Sequence, residues 1–210
     1  MITALIRHGS CVNAVNKDGN TPLHSAARDN SSLLVIETLT NNGTELMARN
    51  DDNLTAKGIA AQHRNHATFL FLREQEEKYA AALETYMMAV MISMQGDHET
   101  VLEMSNKAIG LYPGLAKLYR TRAIAHAALG HIPDALKDLE RFVDLANDDL
   151  DECWFIFNQM TALNPTGMLA RQVRSSTIDM LGRKISENNL AALTSMGIDR
   201  AELKLPDWIG

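Results

Sequence analysis

Short patches of small and apolar residues, separated by polar turn-forming residues, recur along the chain at one interval. Aligning NAVNKDGNTPLHSAA with MARNDDNLTAKGIAA pairs Asn13 with Met47, Ala14 with Ala48, Asn16 with Asn50, Thr21 with Thr55 and Ala26-Ala27 with Ala60-Ala61. Each pair is 34 residues apart, as are Gly9 and Gly43. Thr21 is placed to cap a helix through its hydroxyl, and Pro22 falls in the first turn, where a missing N–H costs nothing. Ala26 and Ala27 would let a second helix approach closely, and Gly43 would end that helix in a left-handed turn. The predicted unit is turn, helix, turn, helix. Helices this short do not persist alone in water, so neighbouring units must complete them.

A second unit begins near Ala82. Ala89 and Ala123, Gly96 and Gly130, and Leu111 and Leu145 are again 34 apart. Small residues such as Ala89 and Ala123 are expected where antiparallel helices cross, since a larger side chain would force them apart. A third copy starts near Leu150: CWFIFNQMTALNP predicts its first helix and Met168 to Leu181 its second. After Gly182, SENNLAALTSM and DRAELK predict two short capping helices, with Ser186 as a cap. From Ile59 to Gln95 there is no Gly or Pro, and REQEEKYAAALETY favours helix throughout. No flexible linker is expected there, so the last helix of the first array should run into, or pack on, the first helix of the second.

The Thr-Pro-Leu-His run followed by paired alanines resembles the ankyrin repeat, and residues 16–49 match it well. The resemblance implies that Thr21 and His24 tie the turn to the neighbouring repeat, a structural role. Asn30 stands where that family has Gly, and Asn tolerates a left-handed backbone. Residues 50–73 form a weaker copy, with Ala56, Lys57 and Gly58 replacing Pro, Leu and His. Residues 1–15 match only the second half of a unit, so further repeats are expected to precede them. Residues 116–148 resemble a tetratricopeptide repeat, with Tyr119, Ala123, Leu129-Gly130, Ala135, Leu139 and Leu145 at its packing positions. Residues 82–115 repeat it more loosely through Ala89, Gly96, Ala108, Leu111 and Pro113. The fold class expected is all-α, a helical-hairpin repeat solenoid with ankyrin repeats over 1–80, tetratricopeptide-like repeats over 81–183 and capping helices over 184–210.

Composition agrees: 46% hydrophobic with only 5% aromatic residues favours Ala, Leu and Met packing in helices. The net charge of −6 divides into −1 over residues 1–80 (8 basic, 9 acidic) and −5 over 81–210 (12 basic, 17 acidic), which argues against a nucleic-acid partner. Cys11 and Cys153 share no metal-ligand spacing and read as reduced thiols of an intracellular protein, cytoplasmic or nuclear. No run of about 18 apolar residues spans a membrane, and Met1 opens no signal peptide.

Catalysis finds no constellation. Cys153 lies in an apolar run, which leaves a thiol inert, and no serine sits beside an oriented His. His63 and His66 could share a helix face, but two ligands do not make a zinc site. His126 and His131 flank a helix end as ordinary packing or surface residues. Gly43, Gly96 and Gly130 end helices, whereas a phosphate loop opens one. The eight carboxylates between Asp134 and Glu152 read as a solvated helix face, without the Gly turn and closing Glu of a calcium loop. No enzyme activity, cofactor or metal is expected.

Function would then be grafted onto the solenoid by side chains that packing does not need. On the ankyrin part, resemblance nominates Lys17, Asn20, Arg28, Asp29, Asp51 and His63. On the tetratricopeptide part it nominates the first helices, through Leu83, Tyr86, Val90, Lys117, Arg120, Ile124 and Trp154. Trp154 could equally be a structural knob within a helix pair. Some tetratricopeptide domains clamp the C-terminal carboxylate of chaperones with lysines, asparagines and an arginine. Lys117 matches one clamp lysine, but Thr121 stands at the arginine's place, and Met87 and Val90 at the asparagines' places. Met87, Met88, Met91 and Met94 put three side chains on one helical stripe, readable as an adaptable binding surface or as packing against the last ankyrin helix. The sequence predicts a protein-interaction scaffold or adaptor that takes a protein or peptide, with no membrane or small-molecule partner. The alternative is a co-chaperone-type adaptor that takes an acidic C-terminal peptide.

Overall fold

The computed structural model describes residues 12–145, and among them every regular element is a helix. In chain order these are α1 (Pro22–Arg28), α2 (Leu33–Asn41), α3 (Ala56–Gln62), α4 (His66–Ser93), α5 (His98–Leu111), α6 (Ala116–Ala128) and α7 (Ile132–Leu145). Among the described residues, those up to Met87, with Lys107–Leu115, form one compact unit, and Met88–Asn106 with Ala116–Leu145 form the other. The predicted third tetratricopeptide copy, the capping helices, Cys11, Cys153 and Trp154 lie outside the described residues.

In the first unit the repeat is written in turn chemistry. Thr21 caps α1 in a reciprocal box with His24, and Thr55 caps α3 by accepting from the Gly58 N–H at 3.2 Å. The turns before α1 and α3 are each closed by an asparagine at equivalent positions. Asn16 Oδ1 accepts from the N–H groups of Asp18 and Asn20, and Asn50 Oδ1 accepts from Leu54. Left-handed backbone recurs with the same period, at Gly19 (φ 71°) and Asn53 (φ 60°), and again at Asn30 (φ 51°) and Arg64 (φ 59°). Gly19 has a second reason to be glycine, because a Cβ there would lie 2.4 Å from the Asp51 carboxylate. Ala26, Ala27 and Ala60 are buried, and α1 packs on both α3 and α2, the close approach that the alanines predict. Ala61 departs from the pattern and is exposed.

A turn with left-handed Arg64 interrupts the helix-favouring stretch from Ile59 to Gln95, and beyond it α4 runs unbroken over 28 residues. Its buried positions, Thr68, Leu72, Gln75, Ala82 and Ala89, follow three- and four-residue steps along one stripe, with half-buried Tyr79 and Tyr86 completing it. Tyr79 meets the buried Tyr112 edge-on, with ring centroids 5.3 Å apart. Burial, with Tyr79 alongside, pushes the Tyr112 phenol well above its usual range. Gly114 lies against α2, where a Cβ would come within 2.0 Å of the Thr40 carbonyl oxygen.

In the second unit α6 and α7 form an antiparallel hairpin. Gly130 (φ 79°) and the His131 N–H to His126 carbonyl bond at 2.8 Å close the turn in the glycine-terminated manner. Ala123, Ala135, Leu139 and Phe142 are fully buried in the helix pair, so Ala123 occupies the crossing as its size predicts.

Candidate protein-binding surfaces

Two of the residues that resemblance links to structure make the tie between repeats. The Nε2 atom of His24 lies 3.0 Å from the Leu54 carbonyl oxygen. A carbonyl can only accept, so Nε2 carries the proton, and Nδ1 accepts from the Thr21 N–H at 3.2 Å and the Thr21 hydroxyl at 2.8 Å. With all its polar atoms engaged and its ring buried, His24 has no capacity left for a ligand. Gly58 holds the equivalent place in the next unit, which instead joins α3 to α4 through the Lys57–Glu76 ion pair.

The six ankyrin candidates do not form one surface. Lys17 and Asp51 are exposed on neighbouring turn tips, brought together by the Asp51 N–H to Asp18 carbonyl bond at 3.2 Å. Arg28, Asp29 and His63 are exposed at the far ends of α1 and α3. Seven residues of α1, roughly 10 Å at 1.5 Å per residue, separate the two groups. Arg28 and Asp29 also pair with each other at 3.1 Å. Asn20 is buried, and its Oδ1 accepts from Asn50 Nδ2 at 2.9 Å, so its side chain crosses between turns and is not presented to a partner.

On α6, Lys117 is exposed, while Arg120 and Ile124 are half-buried on the same stripe at steps of three and four. Thr121 is buried and returns its hydroxyl to the Lys117 carbonyl at 3.1 Å, as a side chain committed to its own helix does. Leu83, Tyr86 and Val90 are half-buried along α4. The four methionines are all exposed: Met87 62%, Met88 50%, Met91 66% and Met94 85%. Packing against the last ankyrin helix therefore does not account for them.

A polar cluster built around the buried Asp138 stands beside the α6 strip. Arg122 Nε and Nη2 donate to Asp138 at 2.8 and 2.6 Å, and Arg122 Nη1 donates to Asn106 at 2.6 Å. The guanidinium also lies over the Tyr119 ring, 5.6 Å from its centroid. Hydrogen bonding to Asp138 holds the guanidinium pKa above its ordinary value. Asp138 is thus a buried exception within the carboxylate-rich face, whereas Asp134, Glu140 and Asp144 are exposed. His126 comes within 3.9 Å of Asp138, yet burial keeps its imidazole below the ordinary value, with Asp138 and Asp134 opposing the shift. The sequence holds a signal for Asp138, a carboxylate within the apolar stripe Ala135, Leu139, Phe142. Its partner sixteen residues away on another helix leaves none.

Among the described residues no group of three or more His, Cys, Asp and Glu could hold a metal ion. No described helix is long and apolar enough to cross a membrane.

Paired short helices, capped turns and a period of 34 define a helical-repeat protein of the kind that presents surfaces to other proteins. Comparison with known families assigns the two arrays: the ankyrin repeat matches residues 18–51, and the tetratricopeptide repeat follows at 91–176. The chain is similar to tetratricopeptide repeat protein 36 of Homo sapiens, 38% identical over 81 residues covering 35% of this chain and 42% of that protein. It is also similar to the Bos taurus protein of that name, 40% identical over 77 residues, covering 37% and 39% respectively. The chain thus spans less than half the length of these curated relatives. No solved structure matches significantly. Both repeat types build protein–protein interaction modules, and the chain carries both.

Proposed function

We propose that the chain is an adaptor, acting in the cytoplasm or nucleus without catalysis, and that it takes an acidic peptide with a hydrophobic anchor along α6. The observation that carries this reading is the stripe of exposed Lys117 with Arg120 and Ile124 on one helix face. Exposed Lys117 beside the half-buried Arg120 and Ile124, in a chain of net charge −6, favours an acidic partner that carries an apolar side chain. A chaperone-type carboxylate clamp is less well supported. Thr121, at the place of the clamp arginine, is buried, and the neighbouring Arg122 is held by Asp138 and Asn106.

The test is the double charge reversal Lys117→Glu with Arg120→Glu, read by isothermal titration against an acidic peptide with a central Leu or Ile. Binding should fall at least about tenfold, roughly 1.4 kcal/mol, with helicity unchanged. Equal binding by the variant, together with wild-type affinity that salt does not weaken, would move recognition to the ankyrin tips.

A further inference from the structure

The methionine stripe of α4 is unexplained by packing. Met88, Met91 and Met94 follow one another at steps of three along the helix and its end, and all three are at least half exposed, as is the neighbouring Met87. An exposed run of four long apolar side chains is uncommon on a surface that has no partner. Methionine is the apolar residue best able to mould itself to another surface, because its chain is unbranched and its sulfur polarisable.

Charge decides what that surface fits. From Tyr79 to Asn106 the chain carries Glu84, Asp97, Glu99 and Glu103 and no Lys or Arg. All four carboxylates are exposed, Glu84 one turn before Met88 and Asp97 three residues past Met94. Asp97 is held ionised below the usual carboxylate range by the side-chain and backbone hydrogen bonds it accepts from Thr100. Lys78 and Lys107 stand just outside that stretch, and an apolar strip neighboured within it by exposed carboxylates complements an apolar strip bordered by positive charge. A second copy of this surface would instead set carboxylates against carboxylates.

We infer that the α4 methionine stripe is a docking site for a basic amphipathic helix, one whose apolar face is bordered by Lys or Arg. Its partner carries the opposite charge to the one proposed for α6. Docking places the partner's apolar side chains on Met88, Met91 and Met94, while its cations meet Asp97 and Glu99.

The probe is a fluorescein-labelled peptide of about 18 residues, five helical turns, with Leu on one face and Lys on the other. Its control is a scrambled peptide of the same composition that cannot form an apolar face. Anisotropy titrations use the full chain and the variant Met88→Gln, Met91→Gln, Met94→Gln, since Gln keeps nearly the helix propensity of Met. The amphipathic peptide should bind the wild type at least about tenfold more tightly than the scrambled one, and the Gln variant should lose at least about tenfold in affinity. Raising ionic strength from about 0.05 to about 0.3 M should weaken binding severalfold. Equal binding of both peptides, or equal binding by the Gln variant, would overturn the inference. So would a lowered melting midpoint in the variant, which would place the methionines in internal packing. Concentration-dependent self-association that the Gln variant abolishes would seat a second copy on the stripe and likewise overturn it.

Discussion

Replacing Asp138 with Ala should open the α6–α7 hairpin and leave the ankyrin helices untouched. Asp138 is buried and takes two charge-assisted bonds from Arg122, at 2.8 and 2.6 Å. Removing one member of a fully buried ion pair costs ~3 to 5 kcal/mol, because the remaining charge is left without compensation. Here the Arg122 side chain keeps 20% exposure and its bond to Asn106, so water and an amide recover part of that cost. About 2 to 4 kcal/mol is expected. Hydrogen–deuterium exchange read peptide by peptide is the suitable assay, since it localises the loss without assuming that the chain unfolds in one step. At a factor of ten for every 1.4 kcal/mol, amides of α6 and α7 should exchange ~30-fold to ~1000-fold faster. Amides of α1 to α3 supply the internal reference. The double replacement Arg122→Met with Asp138→Leu should recover most of the protection, because two packed apolar side chains need no compensation. Unchanged exchange in Asp138→Ala would refute the reasoning and would mean that the pair is solvated in solution.

Ala123→Leu should destabilise the same hairpin by ~1 to 3 kcal/mol through overpacking, since Ala123 is wholly buried at the crossing; an unchanged urea midpoint would place the crossing elsewhere. His126 is held below its ordinary value by burial, so the unfolded chain binds the proton more readily than the folded one. Stability of α6–α7 should therefore be fully present above the unfolded pKa of about 6.5 and fall as pH drops from there through the folded pKa. His126→Gln should flatten that slope in urea titrations at stepped pH. Arg64 occupies a left-handed position that Gly adopts without strain, so Arg64→Gly should raise the melting temperature, by ~0.5 to 1 kcal/mol of stability after the entropy cost of glycine.

What the sequence determined by itself is the local grammar of the repeats. The caps at Thr21 and Thr55, the left-handed Asn30 and Gly43, the alanines at the crossings and the unbroken α4 were all legible. Each depends on backbone chemistry within one or two turns, and that chemistry repeats every 34 residues. Which side chains remain available to a partner was decided by tertiary structure. Asn20 and Lys17 lie three residues apart in one polar turn, yet Asn50, thirty residues beyond Asn20, draws it inward and leaves Lys17 outside. Asp138 stands out in sequence only by its place in an apolar stripe, and its partner Arg122, on the other helix of the hairpin, is known only from the fold. The methionines of α4 satisfy a packing stripe and a binding stripe equally well on paper, and only the burial of Leu72, Ala82 and Ala89 shows which side of the helix is covered. A period specifies which residues share a helix face, whereas exposure of that face depends on what packs against it from distant parts of the chain.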